Sequence, residues 1–222
     1  MNSPIKTTTV CLFAHPDDEA FGPGGTIAKL SQTQDVYIIC TTRGEAGGNM
    51  ENLGDIRAQE LQNSAAVLGV KDVIFLDYKD GDLNNNAYHA IANDIQSHLD
   101  QLLPSTILSY EPRGVSGHID HIVISMISNF LFERCEYVKK LMLFCHSEDQ
   151  MKIIFKHFPS YFVYHPPGYP LSEIGEIIDT SHYADTHRAA ILCHVSQKAD
   201  IKNIIPMYEE LPQKEFFLIR EK

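Results

Sequence analysis

Thr9-Val10-Cys11-Leu12-Phe13-Ala14 runs without a break into His15-Pro16-Asp17-Asp18-Glu19, and this junction decides the fold. The first six residues are mostly apolar and of strand length, and turn residues follow at once. The next five hold an imidazole and three carboxylates, just before the glycine-rich run Gly22-Pro23-Gly24-Gly25. So much negative charge in one turn is costly unless a cation or a proton-transfer task uses it. Far downstream, Ser116-Gly117-His118-Ile119-Asp120-His121 supplies two more imidazoles and another carboxylate.

Outward from the junction, strands and helices alternate. Apolar runs rich in Val and Ile predict strands over 9–14, 35–41, 72–76 and 106–110. Between them lie helix-length stretches over 25–31, 55–68 and 88–103. In the second helix Ile56, Leu61, Ala65 and Leu68 recur at helical spacing, and Gly69 marks its stop. A further helix starts near Gly117 and carries Ile122, Ile124, Met126, Ile127 and Phe130. After Lys139 the pattern loosens into strands over 141–145, 161–164 and 176–179, with a rigid Pro-rich loop over 165–170. Helices near 183–194 and 199–210 and an edge strand over 215–220 close the chain. The expected fold is a single α/β domain over 1–222, a Rossmann-like three-layer sandwich with a mostly parallel central sheet. In such sheets ligands bind beyond the carboxyl ends of the strands, where strand order reverses. If the first and fourth strands are neighbours, the two acidic-histidine stretches face each other there.

Composition narrows the function classes. The 222 residues are 44% hydrophobic and 21% charged, which suits a soluble domain with a sizeable core. A formal charge of −11 argues against non-specific nucleic-acid binding, which needs a basic footprint. No apolar run approaches the roughly 20 residues of a membrane span, and the N-terminus has no signal-like apolar stretch. Five cysteines without close pairing point to a reducing compartment, hence a cytoplasmic location. A homo-oligomer is left open.

A catalytic zinc commonly takes three protein ligands from His and carboxylate and leaves one position for water. Here His15, one of Asp17 or Asp18, and one of His118 or His121 satisfy that count. The leftover carboxylate could deprotonate the water, and the leftover imidazole could stabilise or protonate a tetrahedral intermediate. His118 and His121, three apart at a helix start, project to one face, and Asp120 could orient an imidazole. Alone, the acidic run would equally serve a helix N-terminus; the two stretches together point to a site. The same ligand types also suit a non-haem iron oxygenase, although a spare carboxylate favours hydrolysis, and a non-catalytic metal- or sugar-binding protein is the third class. A dinucleotide site is excluded. Gly22, Gly24 and Gly25 come eight or more residues past the strand, and the intervening acids would repel pyrophosphate despite Arg43.

The motifs His15-Pro16-Asp17-Asp18-Glu19 and Gly117-His118-Ile119-Asp120-His121 resemble the LmbE-like (PIG-L) superfamily of zinc-dependent deacetylases. Thr42-Arg43-Gly44-Glu45, Arg57-Ala58-Gln59-Glu60-Leu61, Asp80-Gly81 and His194-Val195-Ser196-Gln197 fit further family segments in order. The resemblance implies removal of an acetyl group from an N-acetylglucosamine-type sugar or conjugate, a small-molecule partner without membrane or nucleic acid, and Zn2+ or Fe2+ as cofactor. It implies His15, Asp18 and His121 as metal ligands, Asp17 as general base, His118 as the residue steadying the oxyanion, and Asp120 as its neighbour. Arg57, Asp80, Glu45 and His194 are implied near the substrate. Ile119 stands where the family usually has proline, and Arg113, beside the site, suggests an anionic or otherwise unusual substrate. Residues 139–181 are expected to shape the acyl or aglycone side. The remaining histidines are assigned to surface or hydrogen-bonded structural roles.

Overall fold

The computed structural model describes residues 7–159 and 166–222. Its strands are β1 (Thr8–Phe13), β2 (Asp35–Thr42), β3 (Asp72–Tyr78), β4 (Thr106–Tyr110), β5 (Lys140–Cys145), β6 (Glu176–Asp179) and β7 (Lys214–Glu221). Its helices are α1 (Asp18–Phe21), α2 (Gly24–Ser31), α3 (Leu53–Leu68), α4 (Tyr88–Leu102), α5 (Gly114–Gly117), α6 (Ile119–Arg134), α7 (Glu148–His157), α8 (Ala184–Ile191) and α9 (Lys198–Glu210). One sheet contains every strand in the order β3-β2-β1-β4-β5-β7-β6. β1 through β5 run parallel to one another, and β7 pairs antiparallel with β5 and β6.

The order follows from the handedness of the crossovers. β1, β2 and β3 step one way through α2 and α3, and the chain then returns through α4 to place β4 on the other side of β1. Right-handed crossovers in opposite directions put their helices on opposite faces. Accordingly α4 packs with α6, which covers β1, β4 and β5, while α2, α3 and α8 pack together. Central strands covered on both faces read as continuous apolar runs: Val10, Cys11, Leu12, Phe13, Ile38, Ile39 and Cys40 are at most 1% exposed.

One expectation is corrected. The 215–220 strand is not an edge: β7 lies between β5 and β6, and the short β6 takes the edge. Its alternate Phe217 side chain is wholly buried against β5, which an edge strand would not need. The sequence pattern also leaves α7 unread, although Ser147 and Gln150 form a reciprocal capping box at its start. Met126 and Phe130 lie on the outer face of α6, while Ile124 and Ile127 are buried. The expected strand over 161–164 and the start of the Pro-rich loop at His165 fall outside the described residues.

The glycine-rich run serves helix entry. Glu215, on β7, accepts hydrogen bonds from the backbone N–H groups of Gly25 (2.9 Å) and Thr26 (2.8 Å), satisfying donors that a helix start leaves free. A Cβ on Gly25 would lie 2.8 Å from that carboxylate and 2.6 Å from Thr180, so only glycine permits the approach. Burial pushes the Glu215 carboxyl up to about 7. A carboxyl that ionises less readily in the folded chain contributes stability that is complete below its ordinary value of 4.5 and is lost as pH rises through 7. Glu215→Gln, which cannot ionise, should therefore lose about 2–3 kcal/mol less stability than the parent between pH 4.5 and 7. Urea unfolding across that range checks this, and superimposable pH profiles for the two proteins would contradict it.

Candidate metal centre and catalytic cleft

β1 and β4 are parallel neighbours, with Thr9 opposite Thr106 and Cys11 opposite Leu108. Their carboxyl ends open on one side at the point where strand order reverses. There the turn after β1 and the α5–α6 segment after β4 form the walls of a cleft of about 420 Å³, lined by His15, Asp17, Asp18, His118 and His121 among others. The turn is strained: Asp17 has φ 120°, a conformation L-residues rarely adopt and one found most often where function holds it. Its amide is held by Glu19 Oε2 at 3.1 Å.

Hydrogen-bond directions fix the imidazoles. His15 Nε2 faces Asp80 Oδ1 at 3.0 Å and Asp120 Oδ2 at 3.2 Å. Ionised carboxylates only accept, so Nε2 carries the proton. His121 Nδ1 lies 3.1 Å from the Gly114 carbonyl and carries its proton for the same reason. The two remaining nitrogens, His15 Nδ1 and His121 Nε2, face each other at 3.2 Å. Asp18 adds Oδ1 at 3.2 Å from His121 Nε2 and Oδ2 at 3.8 Å from His15 Nδ1. Lone pairs and a carboxylate aimed at one point repel unless positive charge stands between them. Ligand atoms around a tetrahedral ion with bonds of 2.0–2.1 Å stand about 3.3 Å apart; the two nitrogens stand at that separation, and Asp18 meets each through a different oxygen.

The local electrostatics show the same demand for positive charge, which without an ion is met by a second proton on His15, at Nδ1. Burial disfavours charge on His15, but its bonds to Asp120 and Asp80 and the charge of Asp18 push it up to about 10. Asp18 is held well below the usual carboxylate range: burial alone would raise it, and His121, His15 and the Tyr110 hydroxyl outweigh burial. Two further groups bring possible ligand atoms within 4.8 Å of one another among the described residues: His15 with Asp80 and Asp120, and His15 with His118 and His121. In the first, His15 offers the nitrogen that these carboxylates keep protonated. In the second, His118 Nδ1 already accepts the Asp120 amide at 3.2 Å. A neutral His118 therefore carries its proton on Nε2, and burial followed by the charges of His121 and His15 pushes its pKa down.

The sequence profile of the PIG-L family, GlcNAc-PI de-N-acetylase, matches residues 10–129, a span that contains both histidine motifs. The chain belongs to the PIG-L family. It is 35% identical over 127 residues to a probable N-acetyl-alpha-D-glucosaminyl L-malate deacetylase 2 of Bacillus cereus, covering 53% of this chain and 57% of that relative. The chain spans about half the length of the curated relatives it matches. Among solved structures, an N,N'-diacetylchitobiose deacetylase from Pyrococcus horikoshii superposes with a TM-score of 0.67 at 23% identity, covering 98% of this chain and 85% of that one. A 4-carboxy-2-hydroxymuconate hydratase from Pseudomonas putida gives the same TM-score at 17% identity, covering 97% of each chain. The fold is thus shared by a deacetylase and a hydratase, and the chemistry has to be argued from the site.

The PIG-L motif residues divide into those that line the cleft and those behind it. Asp17 Oδ2 accepts from Arg57 Nη2 at 2.8 Å. Burial pushes the Asp17 carboxyl up, Arg57 pulls it down, Asp18 pushes it up again, and it rests at about 7. Arg57 also donates to the carbonyls of Pro16 and Gly44, so it braces the strained turn more than it offers donors to a ligand. Asp80 lines the cleft, held by the Ala46 amide at 3.0 Å. Glu45 stays outside it and accepts from the Asp80 amide at 2.9 Å. His194, expected at the substrate, is instead wholly buried, with Nε2 2.7 Å from Glu19 Oε1. Asp120, expected among the catalytic groups, is 1% exposed; its carboxylate serves His15 and the Gly81 amide, while its backbone N–H serves His118. Ile119, in place of proline, starts α6 with its side chain 68% exposed, so no packing is lost. Arg113 is absent from the cleft wall: it pairs with Glu111 and lies over the Tyr169 ring at 3.8 Å.

Sequence patterns miss Tyr110, the last residue of β4. Its hydroxyl donates to Asp18 Oδ2 and accepts the Ala14 amide at 3.0 Å, and its ring stacks on His121, 4.3 Å between centroids and 3° from parallel. Groups behind a metal's ligands typically set affinity by 10–100-fold. Tyr110→Phe should weaken zinc binding by about that factor, as read by competition against a chromophoric chelator. Unchanged affinity would remove Tyr110 from this role.

Proposed function

We propose that this protein is a metal-dependent N-deacetylase that hydrolyses the acyl amide of an N-acetylglucosamine-type sugar or conjugate. Zn2+ is the preferred metal and Fe2+ the alternative, bound by His15 Nδ1, His121 Nε2 and Asp18. The observation that carries this is the pair of imidazole nitrogens, His15 Nδ1 and His121 Nε2, aimed at each other beside Asp18, with a second carboxylate, Asp17, lining the same cleft. Family membership supports the reaction class. The exposed Nε2–H of a neutral His118 and the absence of any need for a base in oxygen chemistry favour hydrolysis over an oxygenase.

A bound zinc ion supplies Lewis acidity, polarising the acyl carbonyl and lowering the pKa of water. The remaining work falls to this chain. Asp17, held in its turn by Arg57 and by the hydrogen bond its backbone N–H donates to Glu19, takes a proton from the attacking water at its carboxylate. His118 Nε2–H donates to the carbonyl oxygen as negative charge grows there. Collapse breaks the C–N bond, the acyl group leaves as a carboxylate, and the amine departs with the proton Asp17 or His118 returns. Glu19, His194 and Ser64 form a buried line behind Asp17 that positions the turn without touching substrate. The five cysteines are all free, in keeping with a cytoplasmic enzyme.

Asp17→Asn should retain metal and lose about 10²–10⁴-fold in turnover; full turnover in this variant would dismiss Asp17 as the base. His15→Ala and His121→Ala should each purify with metal content reduced to a small fraction of the parent by elemental analysis, whereas Asp80→Asn should keep most of it. Loss of metal in Asp80→Asn alone would move the ion to the opposite side of His15.

A further inference from the structure

The cleft has two unlike ends, separated by the order of the strands. On the β2 and β3 side its wall is Ala46, Gly47, Asp80 and Gly81, with Asp17 and Arg57 beside them. On the β5 side it is Phe144 from β5, Ile154 and Phe158 at α7, and Ile204 and Met207 from α9. The metal-site residues follow β1 and β4, which lie between these two sides. The apolar wall begins next to them: Tyr110, stacked on His121, is the register partner of Phe144. A scissile amide held at the centre therefore sends one substituent to each end.

Sugar hydroxyls require hydrogen-bond partners, and the β2–β3 end offers carboxylate and main-chain groups. Set among Phe144, Ile154 and Phe158 they would be left unpaired. An anion fares no better at the β5 end. Arg113 is engaged by Glu111 and Tyr169, and His146 is a neutral imidazole pushed down by burial to about 4. Arg57, the one cation lining the cleft among the described residues, is spent on Asp17 and two carbonyls.

We propose that the β5 end is an acyl pocket, and that the preferred substrate carries an N-acyl hydrocarbon chain longer than acetyl, with its sugar at the β2–β3 end. This rests on the hydrolase function proposed above and specifies its substrate. Water adds to the acyl carbon, the C–N bond breaks, and the chain leaves as a fatty carboxylate while the amino sugar takes the proton. It also replaces the expectation of an anionic substrate drawn from Arg113.

The test is a series of glucosamines N-acylated with acetyl, butanoyl, hexanoyl and octanoyl groups, assayed with the zinc-loaded protein by amine release. Beside it runs a series of methyl, butyl and hexyl glycosides of N-acetylglucosamine. Burial of each methylene should raise kcat/KM by up to about fourfold, giving a gain of at least about tenfold from acetyl to hexanoyl, and the glycoside series should stay flat. Met207→Trp, which narrows the apolar end, should pull the octanoyl-to-acetyl ratio toward one. Hydrolysis of the acetyl compound with no gain along the acyl series, or a gain that follows the glycoside chain instead, overturns the acyl pocket and leaves the deacetylase function standing. No amine release from any member overturns both.

Discussion

His15 Nδ1 and His121 Nε2 stand 3.2 Å apart, each turned toward the other by the hydrogen bond its ring makes on the far side, and this convergence constrains everything around it. His15 can present Nδ1 only because Asp80 and Asp120 claim the hydrogen on Nε2. His121 can present Nε2 only because the Gly114 carbonyl claims the hydrogen on Nδ1. Asp18 completes the arrangement with a carboxylate that Tyr110 and the His15 amide hold in place. The partners come from the segments at the carboxyl ends of β1, β3 and β4, so the site is a product of the sheet: β1 and β4 must be parallel neighbours for the two rings to meet.

The same constraint explains the strain and the buried charge nearby. A turn that aims His15, Asp17 and Asp18 at one cleft cannot keep ordinary dihedral angles, and Asp17 takes the cost at φ 120°, of order 1–3 kcal/mol. Arg57, Glu19, His194 and Ser64 offset it with a connected set of buried hydrogen bonds. Members of such a network support one another, which accounts for so many polar side chains behind a single turn. They act on the chemistry by holding Asp17, and none of them other than Arg57 reaches the cleft.

Much of this was legible in the sequence because it is written locally. His15, Asp17 and Asp18 are nearly contiguous, His118 and His121 are one helical turn apart, and the strand before each motif is a plain apolar run. Relations formed only on folding were not legible. The distinction between His118 and His121 depends on which nitrogen the Asp120 amide and the Gly114 carbonyl engage, and that is invisible to spacing. Asp120 next to His118 in sequence serves His15 in space, and His194 sits behind the turn because α3 and α8 close over it. The apolar end draws on Phe144, Ile154 and Met207, three elements with no shared pattern. β7 was misplaced at the edge because a strand's position in a sheet is set by pairing rather than by composition.

The central claim is that the metal lies between His15 Nδ1, His121 Nε2 and Asp18. Anomalous diffraction at the zinc edge from crystals of the zinc-loaded protein tests it directly. The predicted result is one peak within about 2.0–2.2 Å of those three groups, with Asp80 and Asp120 still hydrogen-bonded to His15 Nε2. A peak bonded instead to His15 Nε2, Asp80 and Asp120 would contradict it.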